Sequence, residues 1–222
     1  LYLLSPELTM ALWAMVVILV DLVWRRKDLL PWVASVGLLI PLGFSISLWV
    51  SLGQEGEVAM TGIFDSLSVD KFSLFFKYLV LGTVAAVVLM STDYVKRLER
   101  FQGEYYALVL FSATGMMLLA STTELITIYI ALELTALPVA ALAAFLRDSR
   151  SSESGLKFLI LSAISSALLL YGIVWIYGFT GTTNLEEIAS RLGGMDLSGH
   201  EPFGSYALLL GIVLIIAGFG FK

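Results

Sequence analysis

Apolar residues fill this chain in helix-length blocks, and polar residues collect between them. Seven blocks can be marked, at about Leu8–Trp24, Leu30–Leu52, Phe72–Ser91, Tyr105–Ala120, Leu125–Leu146, Leu156–Phe179 and Ser205–Phe221. A helix needs about 20 predominantly apolar residues to cross a hydrocarbon core. The pattern therefore predicts an all-α integral membrane protein with about seven transmembrane helices. Two connections carry patterns of their own. EVAMTGIFDSLSVD at Glu57–Asp70 alternates weakly and predicts a short β-hairpin. NLEEIASRL at Asn184–Leu192 predicts a short amphipathic helix lying at the membrane surface.

Charge sharpens the threading. Arg25, Arg26 and Lys27 follow the first block, Lys96, Arg97 and Arg100 the third, and Arg147 and Arg150 the fifth. The second connection holds Glu55, Glu57, Asp65 and Asp70 without a base, and the fourth, Ser121–Glu124, has no base either. The sixth sets Glu186, Glu187, Asp196 and Glu201 against Arg191. Short basic loops stay cytoplasmic, which predicts an outside N-terminus and odd-numbered helices running inward.

Composition narrows the chemistry. Only 14% of the 222 residues are charged, against about a quarter in soluble domains. Cysteine is absent, which excludes disulfides and thiolate metal or iron–sulfur sites on this chain. The single histidine, His200, cannot by itself build a zinc centre or a pair of haem axial ligands. A net charge of −5 argues against nucleic acid as a partner. No phosphate-binding glycine loop, GxSxG or HExxH is found, and no charged n-region precedes Leu1–Val20, so no cleavable signal is predicted.

The exceptions to the apolar pattern are the candidates for function. Glu133 stands near the middle of the fifth block, with no other ionisable group between Glu124 and Arg147 except Tyr129. A charge at such depth costs roughly 2.5–3.5 kcal/mol on insertion scales, so acids there face a bundle interior and serve a purpose. It is either a proton-carrying or ion-pairing group, or a carboxyl that holds helices together by hydrogen bonding. Tyr129, Ala136 and Ala140 share its helical face, and Pro138 can kink the helix beyond it. Lys77 in the third block either snorkels to the headgroups or points inward as an ion-path residue. Asp21 is placed to pair with Arg25 at an interface, and Glu153 with Lys157 at the start of the sixth block. A helical hairpin between the fifth and sixth blocks would bring Lys157 towards the Glu133 helix. Ser162, Ser165 and Ser166 offer hydroxyls for packing or for water. The chain closes on GFGFK, where Gly218 and Gly220 predict a discontinuous helix just before Lys222. A stop at that lysine suggests a fragment of a longer membrane protein.

Three stretches resemble the antiporter-like subunits of respiratory complex I, the proton-pumping NADH:quinone oxidoreductase, and within them subunit N, known as subunit 2 in mitochondria. They are IALELTALPVAALAAFL at 130–146, SSESGLKFLILSAISSALLLYG at 151–172 and the terminal GFGFK. SPEL at 5–8 and FDSLSVDKFSLFF at 64–76 match more loosely. The resemblance implies a proton relay in which Glu133 pairs with Lys222, and Lys157 follows as a third member. Ser154 and Phe158 depart from the family's usual alanine and tyrosine. It also implies that residues 1–103 form three N-terminal helices and 104–222 an incomplete first part of the antiporter-like inverted repeat, helices 4–7. The relay would be completed in a part of the fold beyond Lys222. Flavin, iron–sulfur clusters and quinone are then expected on partner subunits, with no cofactor or metal on this chain, and with other membrane-arm subunits, the lipid bilayer and protons as its partners.

Overall fold

The computed structural model describes residues 2–24, 29–55, 59–62, 65–96, 98, 101–193 and 202–222, without the side chains of residues 54, 55 and 202–205. Arg25, Arg26, Lys27, Arg97, Arg100, Glu57, Asp196 and His200 lie outside the described side chains, as do Glu55 and Glu201. The proposed Asp21–Arg25 pairing falls there too.

Each apolar block becomes helix. The first is α1 (Ser5–Val23), with Pro6 in the opening turn, where its missing N–H is tolerated. The second is divided into α2 (Leu30–Gly37) and α3 (Leu39–Glu55). Pro41 explains the step, because it cannot donate to the Gly37 carbonyl four residues back; Leu38 turns instead, its N–H reaching the Ser35 carbonyl at 3.2 Å. The hairpin follows as β1 (Ala59–Gly62) and β2 (Leu67–Asp70), antiparallel, with Met60 opposite Val69.

Asp70 then starts α4 (Lys71–Met90) through a capping box: its carboxylate accepts from the Ser73 N–H at 2.7 Å, and Ser73 Oγ accepts from the Asp70 N–H at 3.0 Å. A short α5 (Thr92–Lys96) leads to α6 (Gln102–Leu119), α7 (Leu125–Ala143) and the long α8 (Ser149–Thr180). Asp148 caps α8 by accepting from the Ser151 N–H at 2.6 Å, and Gly181, at φ +67°, ends it. The surface helix is α9 (Leu185–Gly193), and α10 (Pro202–Phe221) is the last apolar helix. Among the described residues, five helical stretches are long and apolar enough to cross a membrane, and α10 contributes a shorter apolar helix.

Besides a small cluster of Leu48, Leu52, Val69 and Leu74, two cores organise the packing of the described residues. Met10, Ala14 and Val17 of α1 meet Ala34, Val84, Val88 and Leu110 in one; Leu125, Leu169, Ile173, Ile176, Ile188 and Leu208 form the other. Helix α6 joins them, because Gly115 lets α7 approach so closely that a Cβ would lie 2.7 Å from the Thr135 backbone nitrogen. Small residues serve this purpose inside a membrane, where packing replaces the hydrophobic drive between helices.

The even-numbered connections share one face. Ser68 N–H bonds the Ser121 carbonyl at 2.8 Å, Thr123 N–H the Ser66 carbonyl at 3.0 Å, and Leu185 N–H the Thr123 carbonyl at 3.0 Å. Leu3 packs at Gly62 on the same face, so the chain start, hairpin, α6–α7 turn and α9 lie together. At the opposite end the Arg147 guanidinium sits 4.2 Å over the Phe101 ring.

No interruption falls at Gly218 or Gly220, where the sequence reading put one. Helix α10 runs unbroken through Gly218 and Gly220 to Phe221. At Gly218 the glycine serves close packing instead: a Cβ there would stand 2.6 Å from Leu169 Cβ and 2.9 Å from its Cα. Ser165 Oγ donates to the Gly218 carbonyl at 2.6 Å, tying the last turn of α10 to α8.

Candidate functional site

Glu133 is held on α7 between α8 and α10. Its Oε1 accepts from Ser166 Oγ of α8 and forms an ion pair with Lys222 Nζ at the end of α10. The Lys222 side chain is 5% exposed and that of Glu133 23% exposed. The local causes are separable. The single hydroxyl proton of Ser166 is shared between Glu133 and the Ser162 carbonyl, which lies 2.8 Å from Oγ. Thr135 back-bonds to the Ala131 carbonyl at 2.9 Å, and its own carbonyl accepts from Ser112 Oγ of α6 at 3.2 Å. Pro138 is buried inside α7, which continues through it to Ala143.

A cavity of about 210 Å³ adjoins the pair, lined by Thr135, Ala136, Phe158, Ser162, Phe221 and Lys222 among others. Water occupies about 30 Å³ per molecule in the liquid, so the space admits several. An ammonium in reach of a carboxylate at the edge of such a cavity can hold, release and regain a proton.

Lys157 is placed differently. Its ammonium pairs with Glu153 one turn back, with side chains 70% and 62% exposed. The structure thus brings Glu133 and Lys222 together and leaves Lys157 in its own i,i+4 pair, rather than turning it towards Glu133.

A second ion pair lies deep in the other core. Lys77 on α4 is 0% exposed and stands 2.7 Å from Oε1 of Glu7 on α1, itself 4% exposed. Lys77 therefore points inward and does not snorkel. Glu7 carried no signal of its own, because an acid just after Pro6 reads as a residue favoured by the helix dipole; the unmatched Lys77 was the clue that a partner had to exist.

Residues 122–222 match a family model described as NADH:quinone oxidoreductase/Mrp antiporter, TM. The chain is 40% identical over 222 residues to NADH-quinone oxidoreductase subunit N of Dehalococcoides mccartyi, covering 98% of this chain and 44% of that protein. It is 38% identical to subunit N of Rhodobacter capsulatus, covering 98% of this chain and 43% of that one. The chain thus spans under half the length of these relatives. Among solved structures, respiratory complex I from Thermus thermophilus with bound aureothin superposes with a TM-score of 0.69 at 28% identity, over 97% of this chain and 43% of that chain. An archaeal membrane-bound sulfane sulfur reductase shares the fold, with a TM-score of 0.73 at 18% identity over 99% of this chain and 44% of its own.

Proposed function

Because this chain belongs to the antiporter-like membrane-subunit family that includes NADH-quinone oxidoreductase subunit N, we propose that it is part of a proton-translocating membrane-arm subunit in which the Glu133–Lys222 pair handles the proton. The observation that carries this reading is that pair, enclosed by α7, α8 and α10 beside a cavity.

The carboxylate keeps the lysine charged while the two are in contact; separation in a dry site lowers the lysine's hold on its proton. A signal from the redox part of the complex would change the separation, and water in the cavity would take the proton onward. Phe158 and Ser162 carry the cavity wall to the turn of α8 next to Lys157, which we assign as the third relay residue. The face with the hairpin and α9 is then the outer face of a bacterial energy-transducing membrane. Flavin, iron–sulfur clusters and quinone belong to partner subunits, with which this chain assembles in the membrane arm.

Glu133→Gln and Lys222→Met, each in the full-length protein assembled in its complex, are expected to lower proton pumping per NADH oxidised several-fold. Wild-type pumping in both, with assembly intact, would return Glu133 to a packing role in a structural scaffold. A second reading, a subunit of a multi-subunit sodium/proton antiporter or of a membrane-bound hydrogenase, is favoured by the antiporter half of the family description. Co-purification with flavin and iron–sulfur subunits that oxidise NADH separates the two.

A further inference from the structure

We propose that Glu7 and Lys77 form a second proton-exchange site, reached from the hairpin face through the Ser121 hydroxyl. Lys77 Nζ lies 2.7 Å from Glu7 Oε1. Beyond that contact, neither Lys77 Nζ nor Glu7 Oε2 has a hydrogen-bond partner among the described residues. A buried ion pair that only clamps helices is stable when further hydrogen bonds satisfy its remaining lone pairs and protons. This pair has only the Ser121 hydroxyl at 3.5 Å, which leaves Glu7 Oε2 and the remaining ammonium protons for a mobile partner such as water. Nor does the clamp need it, since Met10, Ala14 and Val17 already pack α1 against Val84, Val88 and Leu110.

The approach is equally specific. Ser121 Oγ stands 3.5 Å from Glu7 Oε1, with the Met117 and Leu118 carbonyls, each 3.4 Å away, as the other acceptors its one proton can turn to. The same serine lines a groove of about 620 Å³ with Ser68, Asp70, Thr122 and Thr123, opposite Phe76. Other ionisable groups on the helices packed here are remote. Asp70 and Lys71 stand at the start of α4, about 10.5 and 9 Å along the axis from Lys77 at 1.5 Å per residue. Tyr78, beside Lys77 in sequence, stacks towards Trp49. Asp21, Glu104, Tyr105 and Tyr106 belong to the far end, where Tyr105 packs on Tyr94.

The step is a proton transfer with water as co-reactant. An N–H bond of the Lys77 ammonium breaks as an O–H bond forms on Glu7 Oε1, giving an amine and a carboxylic acid. The acid proton then passes to Ser121 Oγ while the serine gives its own to water in the groove, leaving the amine beside a carboxylate. Uptake reverses the sequence. This site shares no residue with the Glu133–Lys222 pair.

Two measurements on the full-length protein in its complex test the proposal. An apolar carbodiimide reacts with protonated carboxyls in apolar surroundings, and peptide mass spectrometry locates the adduct. Glu7 is expected to be labelled in the wild type when the reaction is run between about pH 5 and 9. A Glu7 unlabelled throughout that range overturns the site. Ser121→Ala is expected to slow proton pumping several-fold with assembly and Glu7 labelling unchanged, and Ser121→Thr to restore it. Wild-type pumping in Ser121→Ala overturns the route. Glu7 labelling is independent of Glu133→Gln, so failure of the relay and failure of this site are read separately.

Discussion

At Glu133 the two partners are unequal, and removing either end of the ion pair should show it. Glu133→Gln strands an ammonium whose side chain is 5% exposed, and loss of one member of a buried pair costs about 3–5 kcal/mol. Lys222→Met leaves a carboxylate that is 23% exposed and still bonded to Ser166. Thermal unfolding of the assembled complex is therefore expected to show a larger drop in Tm for Glu133→Gln than for Lys222→Met; equal drops would mean that the burial difference is immaterial. Ser166→Ala removes the second donor to Glu133, a charged hydrogen bond worth about 1.5–3 kcal/mol. Slower pumping with intact assembly is expected, measured against NADH oxidation. Glu133 was legible in sequence as an acid isolated in an apolar run. Lys157 was legible through the resemblance and through its spacing from Glu153, and it was the spacing that described its contact. Glu7 was hidden, because its depth comes from the helices packed around the chain start rather than from its neighbours in sequence.

The helices divide by what their glycines do. Gly218 meets Leu169 so closely that a Cβ would stand 2.9 Å from backbone, and overpacking of this kind costs about 1–3 kcal/mol. Gly220 meets nothing within 4 Å, and alanine is better than glycine inside a helix by about 0.8–1.0 kcal/mol. Gly218→Ala is expected to reduce assembly and pumping together, while Gly220→Ala leaves both at wild-type levels; immunoblotting of the assembled complex and a pumping assay decide. Sequence alone placed both glycines in one GFGF run and read it as a break, since local propensity has no view of Leu169. Where the cause was local, the reading succeeded: the hairpin ends on the Asp70–Ser73 capping box, and α9 carries its acids at its start and Arg191 at its end.

Across the whole molecule, the even-numbered connections are stitched into one face. Glu124 completes the seam by accepting from Thr127 Oγ1 at 2.6 Å and Thr183 Oγ1 at 2.7 Å. These 222 residues contain no cysteine, so an adduct found on a peptide from them reports the introduced cysteine alone. Substitutions Asp65→Cys and Glu187→Cys are expected to react with an impermeant maleimide from one side of the membrane, and Arg150→Cys from the other. Labelling of all three from a single side would overturn the threading. Alternating charge along the chain made this arrangement readable, because each loop's sidedness is a local property. The pairing of α1 with α4 was not readable, since it depends on which helices become neighbours.

Ser165 and Ser166 are consecutive on α8, yet one grips the Gly218 carbonyl beneath Lys222 and the other grips Glu133. Successive helical residues point about 100° apart, so this single span touches the base's support with one edge and the acid with the next. A slight roll of α8 about its own axis tightens one grip as it slackens the other. Because both grips belong to one helix, a change in α8 would reach the acid and the base's support together.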